Sequence, residues 1–392
     1  MNIDIQIKNG IVMDPFPSQK DILIKNGTIA MCSNKHLAPT AKPSSETTYT
    51  LDAEGMYIIP GLIDFHTHLF SGSSLGVNPA YLPATGVTAA VDAGTSGCSG
   101  FENFLQYDIA SAPISIKAFL NLFCEGITGT MGIEENPDPS KIDIGKIQYL
   151  FSRYSDILLG IKVRISRSIV KEMGLIPLQA AKKMANQLGT RLCVHITDPP
   201  VSLPQILSIL ETGDILCHMY HGKGYTILGH GQKPISQLWE ARERGVLFDD
   251  ANGRANFSFS VARSSIENGF LPDIISSDTT RYSFNLSSSI KDLPYHLSKY
   301  LNMGIPLPDI IRAVTETPAK ILNIPGQTGQ LVPGSRANIT ILKEIQHPTI
   351  FTDSLGEKML GERLLVTVAT VLNGEIVYRN SAAEAISTSN II

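Results

Sequence analysis

The chain has 392 residues, of which 43% are hydrophobic and 17% charged, a composition typical of soluble globular proteins rather than fibrous or disordered ones. The net charge of -4 argues against nucleic acid or an anionic membrane surface as the main partner. No apolar run approaches the roughly 20 residues that span a bilayer, and the first residues lack a signal-peptide pattern, so we expect a cytoplasmic protein.

Three Asn-Gly pairs lie between short alternating apolar runs near the two chain ends, at residues 9–10, 26–27 and 373–374. Asn-Gly in that context is a strong hairpin signal, and residues 337–342 add another strand-like run. Because lone hairpins are only marginally stable, we predict one small β-sandwich domain built from both termini, residues 1–56 and 333–380. Two unrelated β-edges are the alternative. The small, polar tail of residues 381–392 is predicted to be poorly ordered.

The middle of the chain alternates between strand-like and helical patterns. After the strand that precedes His66, the strand-like runs are residues 89–93, 116–122, 158–163, 191–195, 215–218, 246–249 and 274–278. The helical patterns cover residues 142–154, 177–188, 202–212, 235–244 and 307–322. Eight such units predict an α/β fold, a (β/α)8 TIM barrel over residues 57–332. A doubly wound open sheet is the alternative, but no Gly-x-Gly-x-x-Gly fingerprint follows the first strand.

Polar residues fall where these strands end. His66 and His68 are spaced i, i+2, so on a strand both imidazoles face the same side and make half of a metal site. Four further strand-end residues complete the set: Lys162, His195, His218 and Asp278. Because catalytic groups of a TIM barrel lie at the carboxyl ends of its strands, we expect all six side chains at one barrel mouth.

The opening Pro-Gly-Leu-Ile-Asp-Phe-His-Thr-His at residues 60–68, taken with those strand ends and the split β-domain, resembles the amidohydrolase superfamily. The resemblance implies two divalent metal ions, with zinc expected. His66, His68 and Asp278 would hold one ion, and His195 and His218 the other. Lys162, carboxylated to a carbamate, would bridge them. It also implies a hydrolase in which a bridging hydroxide attacks an amide or ester carbonyl while Asp278 moves the proton.

Within that superfamily the chain most resembles the dihydroorotase, hydantoinase and deacylase branch. Residues 160–164 and 218–224 resemble a deacetylase-like group whose members favour acyl groups carried beside a carboxylate, such as N-acyl amino acids or O-acyl 2-hydroxy acids. Arg164, Arg254 and His221 are therefore predicted substrate contacts. Residues 251–253 depart from the Gly-His-Gly of related chains, which weakens that substrate prediction. Alternatives are a cyclic amidohydrolase and a non-catalytic scaffold. The expected partners are a small-molecule substrate and further copies of this chain.

The five cysteines are scattered and odd in number, which favours a reducing compartment over a disulfide framework. Cys193 shares a strand face with His195 and is predicted to fill the barrel. Cys217 neighbours His218, so strict alternation predicts that it points out of the barrel.

Overall fold

The structure is a computed structural model that describes residues 3–13, 17–34, 49–127, 135–284 and 291–385. Of the tail, Ser381–Ala385 forms a short helix, and residues 386–392 lie outside the described part, as does the prediction made for them.

The described residues form fifteen strands. They are β1 (Ile5–Met13), β2 (Pro17–Lys25), β3 (Thr28–Asn34), β4 (Tyr49–Asp52), β5 (Tyr57–Pro60), β6 (Leu62–Thr67), β7 (Val87–Ala93), β8 (Ser115–Asn121), β9 (Leu158–Arg164), β10 (Arg191–His195), β11 (Ile215–Cys217), β12 (Leu247–Asp249), β13 (Ile339–Thr352), β14 (Lys358–Leu372) and β15 (Glu375–Arg379).

Both chain ends contribute to one eight-stranded sheet, ordered β15-β14-β13-β5-β1-β2-β3, with β4 also paired to β1. β5 joins the two halves, because it pairs parallel with β1 and antiparallel with β13. The predicted assembly from both termini is therefore observed, whereas a sandwich of two separate sheets is not confirmed. β5 lies in this sheet although its residues fall within the predicted barrel range.

One of the three Asn-Gly hairpin predictions is wrong. Asn26-Gly27 joins β2 to β3 and Asn373-Gly374 joins β14 to β15, as predicted. Asn9-Gly10 lies instead inside the continuous β1, where the register with β2 shifts between Ile7 and Gly10. Asn9 has a left-handed φ of 63° and donates its backbone N–H to Asp21. The pair therefore makes a β-bulge, because β1 continues to pair with β2 on both sides of it.

The middle of the chain forms a curled, parallel seven-stranded sheet in the order β12-β11-β10-β9-β8-β7-β6, which is a TIM-like barrel. The predicted eighth strand is reduced to single bridges. Ile274 pairs with Asp249 on β12, and Thr279 pairs with Thr67 on β6. Residues 274–279 thus connect the two edges of the sheet. A left-handed φ of 49° at Asp278 interrupts the extended backbone there.

The described residues also form twelve α-helices. They are α1 (Phe101–Phe104), α2 (Ile144–Arg153), α3 (Arg167–Val170), α4 (Ile176–Leu188), α5 (Leu203–Leu207), α6 (Ser236–Glu243), α7 (Phe259–Glu267), α8 (Arg281–Phe284), α9 (Leu293–Asn302), α10 (Leu307–Val314), α11 (Glu316–Leu322) and α12 (Ser381–Ala385). The helix predicted over residues 307–322 is broken at Thr315. Pro318 explains the break, since it cannot donate an N–H to the carbonyl of Val314. α5 is shorter than predicted.

Apolar side chains pack in three regions. One cluster fills the barrel interior, including Phe65, Phe119 and Cys193. A larger one lies between the barrel sheet and the surrounding helices, and a third lies on the terminal sheet. Cys98 and Cys124 form a disulfide, so the expectation that the cysteines stay unpaired is wrong for these two. No helix in the described ranges has the length and apolarity to cross a membrane.

A buried carboxylate ties α4 to the strands beside it. Asp214 accepts hydrogen bonds from Lys182 Nζ at 2.6 Å and from the backbone N–H groups of Leu192 and Glu211, both at 2.8 Å. Replacing Asp214 with alanine is expected to lower the free energy of unfolding by about 3 kcal/mol, because two N–H groups lose their acceptor and the Lys182 amine loses its closer carboxylate, keeping only Glu211 at 2.9 Å. Urea denaturation measures the change.

The matched control is Asp309→Ala. Asp309 pairs with Arg312 on an exposed helix face, so its loss should change the free energy of unfolding by less than about 1 kcal/mol. Equal effects of the two substitutions would contradict the role assigned to Asp214.

Candidate active site

A cavity of about 290 Å³ opens at the carboxyl ends of the barrel strands. All six predicted metal ligands line it, together with two of the three predicted substrate contacts. The lining residues include His66, His68, Lys162, Arg164, His195, His218, Arg254, Asn256, Asp278 and Tyr282. The structure therefore brings together side chains from the ends of β6, β9, β10 and β11, from the loop after β12 and from the segment that includes Asp278.

Three of these residues make a compact buried cluster. Nitrogen atoms of His66 and His68 and an oxygen of Asp278 all lie within 4.8 Å of one another. His68 Nε2 lies 3.1 Å from Asp278 Oδ1, and His66 Nε2 lies 3.8 Å from the same oxygen. Two imidazole nitrogens and a carboxylate oxygen at this separation are a donor set that suits zinc and related divalent cations.

The other ring nitrogen of each imidazole has its own partner. His66 Nδ1 is 3.2 Å from Asp249 Oδ2, and His68 Nδ1 is 2.7 Å from Thr95 Oγ1. His218 Nδ1 is 2.7 Å from the carbonyl oxygen of Ala251, to which it can only donate. Metal-binding histidines usually engage the second nitrogen in this way. For His66 and His218, whose Nδ1 faces an acceptor oxygen, the contact fixes the tautomer and leaves Nε2 with a lone pair, whereas the Thr95 hydroxyl can donate to or accept from Nδ1 of His68 and is compatible with either tautomer.

Burial favours the neutral form of three of the four site imidazoles, those of His66, His195 and His218. It lowers the pKa of His66 and of His195 well below the ordinary value, with further lowering by neighbouring cationic groups. Burial also lowers the pKa of His218 to about 3. The rings of His195 and His218 are adjacent, with centroids 4.3 Å apart. Because only neutral imidazole can bind a cation, the site is prepared for ligation at neutral pH.

Lys162 is fully buried at the floor of the cavity, on β9. Its Nζ lies 3.4 Å from His66 Nε2 and 3.5 Å from Cys193 Sγ. Burial opposes its charge, but Cys193, Cys217 and nearby carboxylates outweigh burial and raise the pKa of Lys162. Gly94 makes room for the side chain, since a Cβ at Gly94 would lie 2.5 Å from Lys162 Cβ.

The prediction that Cys217 points out of the barrel is wrong. Its Sγ lies 3.1 Å from Cys193 Sγ and 3.9 Å from Lys162 Nζ, in the interior. β11 ends at Cys217, and His218 has a left-handed φ of 65°. Cys217 pairs in register with His195 of β10 and so shares its inward face, and the left-handed backbone of His218 ends the strict alternation, so two consecutive side chains face inward.

Asp278 is held from two sides. Besides the contact of Oδ1 with His68, Oδ2 accepts a hydrogen bond of 2.8 Å from Asn256 Nδ2. Burial would raise the pKa of Asp278, but the hydrogen bond from His68 and the charges of neighbouring groups lower it overall. The carboxylate is therefore ionised at neutral pH and is able to accept a proton.

The three predicted substrate contacts differ in their surroundings. Arg164 lines the cavity, but its Nε donates to Glu135 Oε2 at 2.6 Å. Arg254 also lines the cavity; its guanidinium lies 5.7 Å from the ring centre of Tyr282, and it has no ion pair within the described ranges. His221 is buried and does not line the cavity.

Three residues that contact the candidate ligands were not predicted from the sequence. Asp249 is the last residue of β12, so the strand-end argument could have identified it. Asn256 and Thr95 lie in loops without periodicity, and nothing in their local sequence connects them with Asp278 or His68.

Comparison with known proteins identifies the family. Residues 57–377, more than three quarters of the chain, match the model of the Amidohydrolase family. The chain belongs to the amidohydrolase family. It is accordingly a hydrolase that acts on C–N bonds, and enzymes of this family are generally metal-dependent, in agreement with the His/Asp cluster.

Relatives from several bacteria carry the name deacetylase. The chain is 32% identical to a deacetylase of Brucella anthropi over 360 residues, covering 91% of this chain and 87% of that protein. It is 31% identical to a deacetylase of Enterococcus faecalis over 382 residues, covering 96% of this chain and 99% of that protein.

Two solved structures share the whole architecture. One, titled an adenine deaminase, superposes with a TM-score of 0.86 at 29% identity, covering 97% of this chain and 100% of that chain. The other, titled a dihydroorotase, has a TM-score of 0.83 at 31% identity, covering 96% of this chain and 98% of that one. The deacetylase and dihydroorotase relatives support the dihydroorotase, hydantoinase and deacylase branch that the sequence motifs predicted.

Proposed function

We propose that this enzyme is a binuclear, metal-dependent deacylase that removes an acyl group from a small substrate carrying a carboxylate. N-acyl amino acids and O-acyl 2-hydroxy acids are the expected substrate classes. The observation that carries the proposal is the single buried cavity in which four histidines, Lys162 and Asp278 meet beside the guanidinium of Arg254.

The donor set fits two divalent cations, with zinc expected. His66, His68 and Asp278 would hold one, and His195 and His218 the other. Divalent cations bound there would polarise the scissile carbonyl and lower the pKa of a water molecule. The support from this chain is the lowered pKa of His66, His195 and His218 and the partner found for the second nitrogen of His66, His68 and His218.

Lys162 would bridge the cations as a carbamate formed with carbon dioxide. A free ammonium beside two cations is unfavourable, whereas a carbamate supplies two anionic oxygens. Carboxylation needs the neutral amine. Divalent charge near Nζ would oppose the groups that now raise the pKa of Lys162, and would therefore favour the neutral, reactive form.

Asp278 would move the proton. Its ionised carboxylate accepts a proton from the attacking water and returns it to the leaving nitrogen or oxygen. Its position, with one oxygen toward the histidine pair and the other hydrogen-bonded to Asn256, supports this role.

Arg254 would bind the substrate carboxylate. Arg164 is less suited to this task because Glu135 already accepts from its guanidinium, and that carboxylate is only 3% exposed. Arginine binds carboxylates through paired, charge-assisted hydrogen bonds.

A substrate screen on enzyme loaded with zinc and bicarbonate tests the proposal. The panel contains N-acetyl amino acids of both hands, acetylated 2-hydroxy acids, their carboxamide analogues, dihydroorotate and hydantoins. We expect hydrolysis of the acylated carboxylates, with kcat/KM at least about 10-fold above the carboxamides. Activity confined to cyclic amides would overturn it.

Replacing Arg254 with alanine is expected to raise KM for the carboxylate substrates by about 10- to 100-fold, because a charge-assisted contact with the bound substrate is lost. The carboxamide analogues should be affected much less. Steady-state kinetics measure both. Arg312→Ala, on an exposed helix face, serves as the control, and an unchanged KM in Arg254→Ala would exclude the assigned contact.

Cyclic amide hydrolysis is the second candidate. The dihydroorotase structure, at 31% identity over nearly the whole chain, is the observation that favours it. A non-catalytic scaffold is the third, and metal analysis separates it from both enzymes: well under one ion per chain after loading would favour the scaffold.

A further inference from the structure

Asp278 lies at one end of a short series of hydrogen bonds that begins just after a different strand. Thr197, just after β10, donates its hydroxyl to Asn256 Oδ1 at 2.8 Å. Asn256, in the loop after β12, donates Nδ2 to Asp278 Oδ2 at 2.8 Å. Thr197 and Asn256 are 8% and 7% exposed, so water competes little for either bond.

The donor and acceptor groups of the three side chains fix the direction of these hydrogen bonds. An amide side chain can turn over and exchange its oxygen and nitrogen with little change of shape. Because the ionised carboxylate of Asp278 can only accept, the amide presents its N–H to Asp278 and its Oδ1 to Thr197, whose hydroxyl holds that orientation by donating to Oδ1. The opposite orientation would set a carbonyl oxygen against a carboxylate oxygen.

Asp278 needs such support. Its backbone is left-handed, and its side chain must keep one oxygen toward His66 and His68 while the other is satisfied elsewhere. Gly253 leaves the space for this, because a Cβ at that position would overlap Asp278 Oδ2. Within the described part of the chain, Asn256 Nδ2 is the side-chain donor that reaches Oδ2.

We propose that Asn256, oriented by Thr197, is a positioning residue that holds the Asp278 carboxylate in the orientation required for proton transfer. The inference rests on the proposed hydrolytic function for its kinetic consequence, but its structural consequence can be measured separately. Asn256 also lines the cavity, so direct contact with substrate is the competing role that the experiment must exclude.

Four variants test it in the metal-loaded enzyme: Asn256→Ala, Thr197→Val, Thr197→Ser and the double variant Asn256→Ala/Thr197→Val. Asn256→Ala should lower kcat by about 10- to 100-fold with KM within about twofold, because a charge-assisted bond to a group acting on the transition state is lost. Thr197→Val should lower kcat by about 3- to 10-fold, whereas Thr197→Ser, which keeps the hydroxyl, should restore most of it.

The double variant decides whether the two residues act in series. If Thr197 works through Asn256, adding Thr197→Val to Asn256→Ala should cost nothing more. If the two substitutions instead lower kcat multiplicatively, the proposed action of Thr197 through Asn256 is overturned. A rise in KM at constant kcat in Asn256→Ala would assign Asn256 to substrate binding and would also overturn the proposal.

Crystal structures of wild type, Asn256→Ala and Thr197→Val give the readout that is independent of turnover. We expect the Asp278 carboxylate to turn away from His68 or to occupy two orientations in the variants, at unchanged thermal stability. An unmoved carboxylate in both variants overturns the proposal. If wild type hydrolyses none of the substrates, the proposed function fails and these structures alone decide the positioning role. If Asn256→Ala does not fold, the nearly isosteric Thr197→Val carries both readouts.

Discussion

Replacing Asp278 with asparagine is expected to lower kcat by about 10²- to 10⁴-fold while the fold stays intact, the range over which a positioned general acid–base contributes. The amide has nearly the same shape but cannot accept a proton at neutral pH. Moreover, Asn256 Nδ2 would attract its oxygen, which turns its NH2 group toward His68 and His66. The site would then lose an anionic ligand as well as its base.

Steady-state kinetics on the best substrate from the screen, together with circular dichroism, measure the outcome. Asp292→Asn is the matched control, since it makes the same chemical change at the N-cap of α9, where asparagine caps as well as aspartate. We expect near-normal kcat from the control. A kcat for Asp278→Asn within about threefold of wild type would remove Asp278 from the mechanism.

Replacing Lys162 with alanine is expected to abolish measurable hydrolysis and to lower the bound metal well below that of wild type. In the proposed mechanism carbon dioxide carboxylates this amine, so the variant would deprive the two proposed cations of their bridging oxygens. Removing a fully buried lysine also leaves a cavity beside Cys193, which a small carboxylate can fill. Millimolar propionate or formate should therefore restore part of the activity.

Metal content by plasma mass spectrometry and rates with and without added carboxylate form the test. Lys320→Ala is the control, because that lysine is 70% exposed on α11. Full metal content and activity in Lys162→Ala would show that the lysine is not a bridge. Dependence of wild-type activation on bicarbonate, absent from the variant, gives a second comparison.

The strand-end argument located the six side chains because it needs only two facts that a sequence contains. Hydrophobic runs mark the strands, and parallel strands present their carboxyl ends at one edge. His66 and His68 follow from a period of two, and Lys162, His195 and His218 follow from the residue at which each run ends.

The wrong predictions share one physical cause. The observed structure at these positions depends on contacts between segments that are distant in the sequence. Asn9-Gly10 has hairpin chemistry, yet pairing with β2 on both sides makes it a bulge. Cys217 faces inward because it pairs in register with His195 of β10, and the left-handed backbone of His218 brings the next side chain inward as well. The pairing of Arg164 with Glu135 joins the end of β9 to a loop residue, so no local pattern could have revealed which arginine remains available.

The position of β5 between β1 and β13 has a consequence for biosynthesis. During translation, β5 emerges early with one edge unpaired, and its partner Ile339 is made only after the whole barrel segment. Until then the nascent chain exposes an apolar strand edge, the kind of surface on which unwanted association begins. We therefore expect chains that stop before β13 to aggregate even though every candidate ligand is already present.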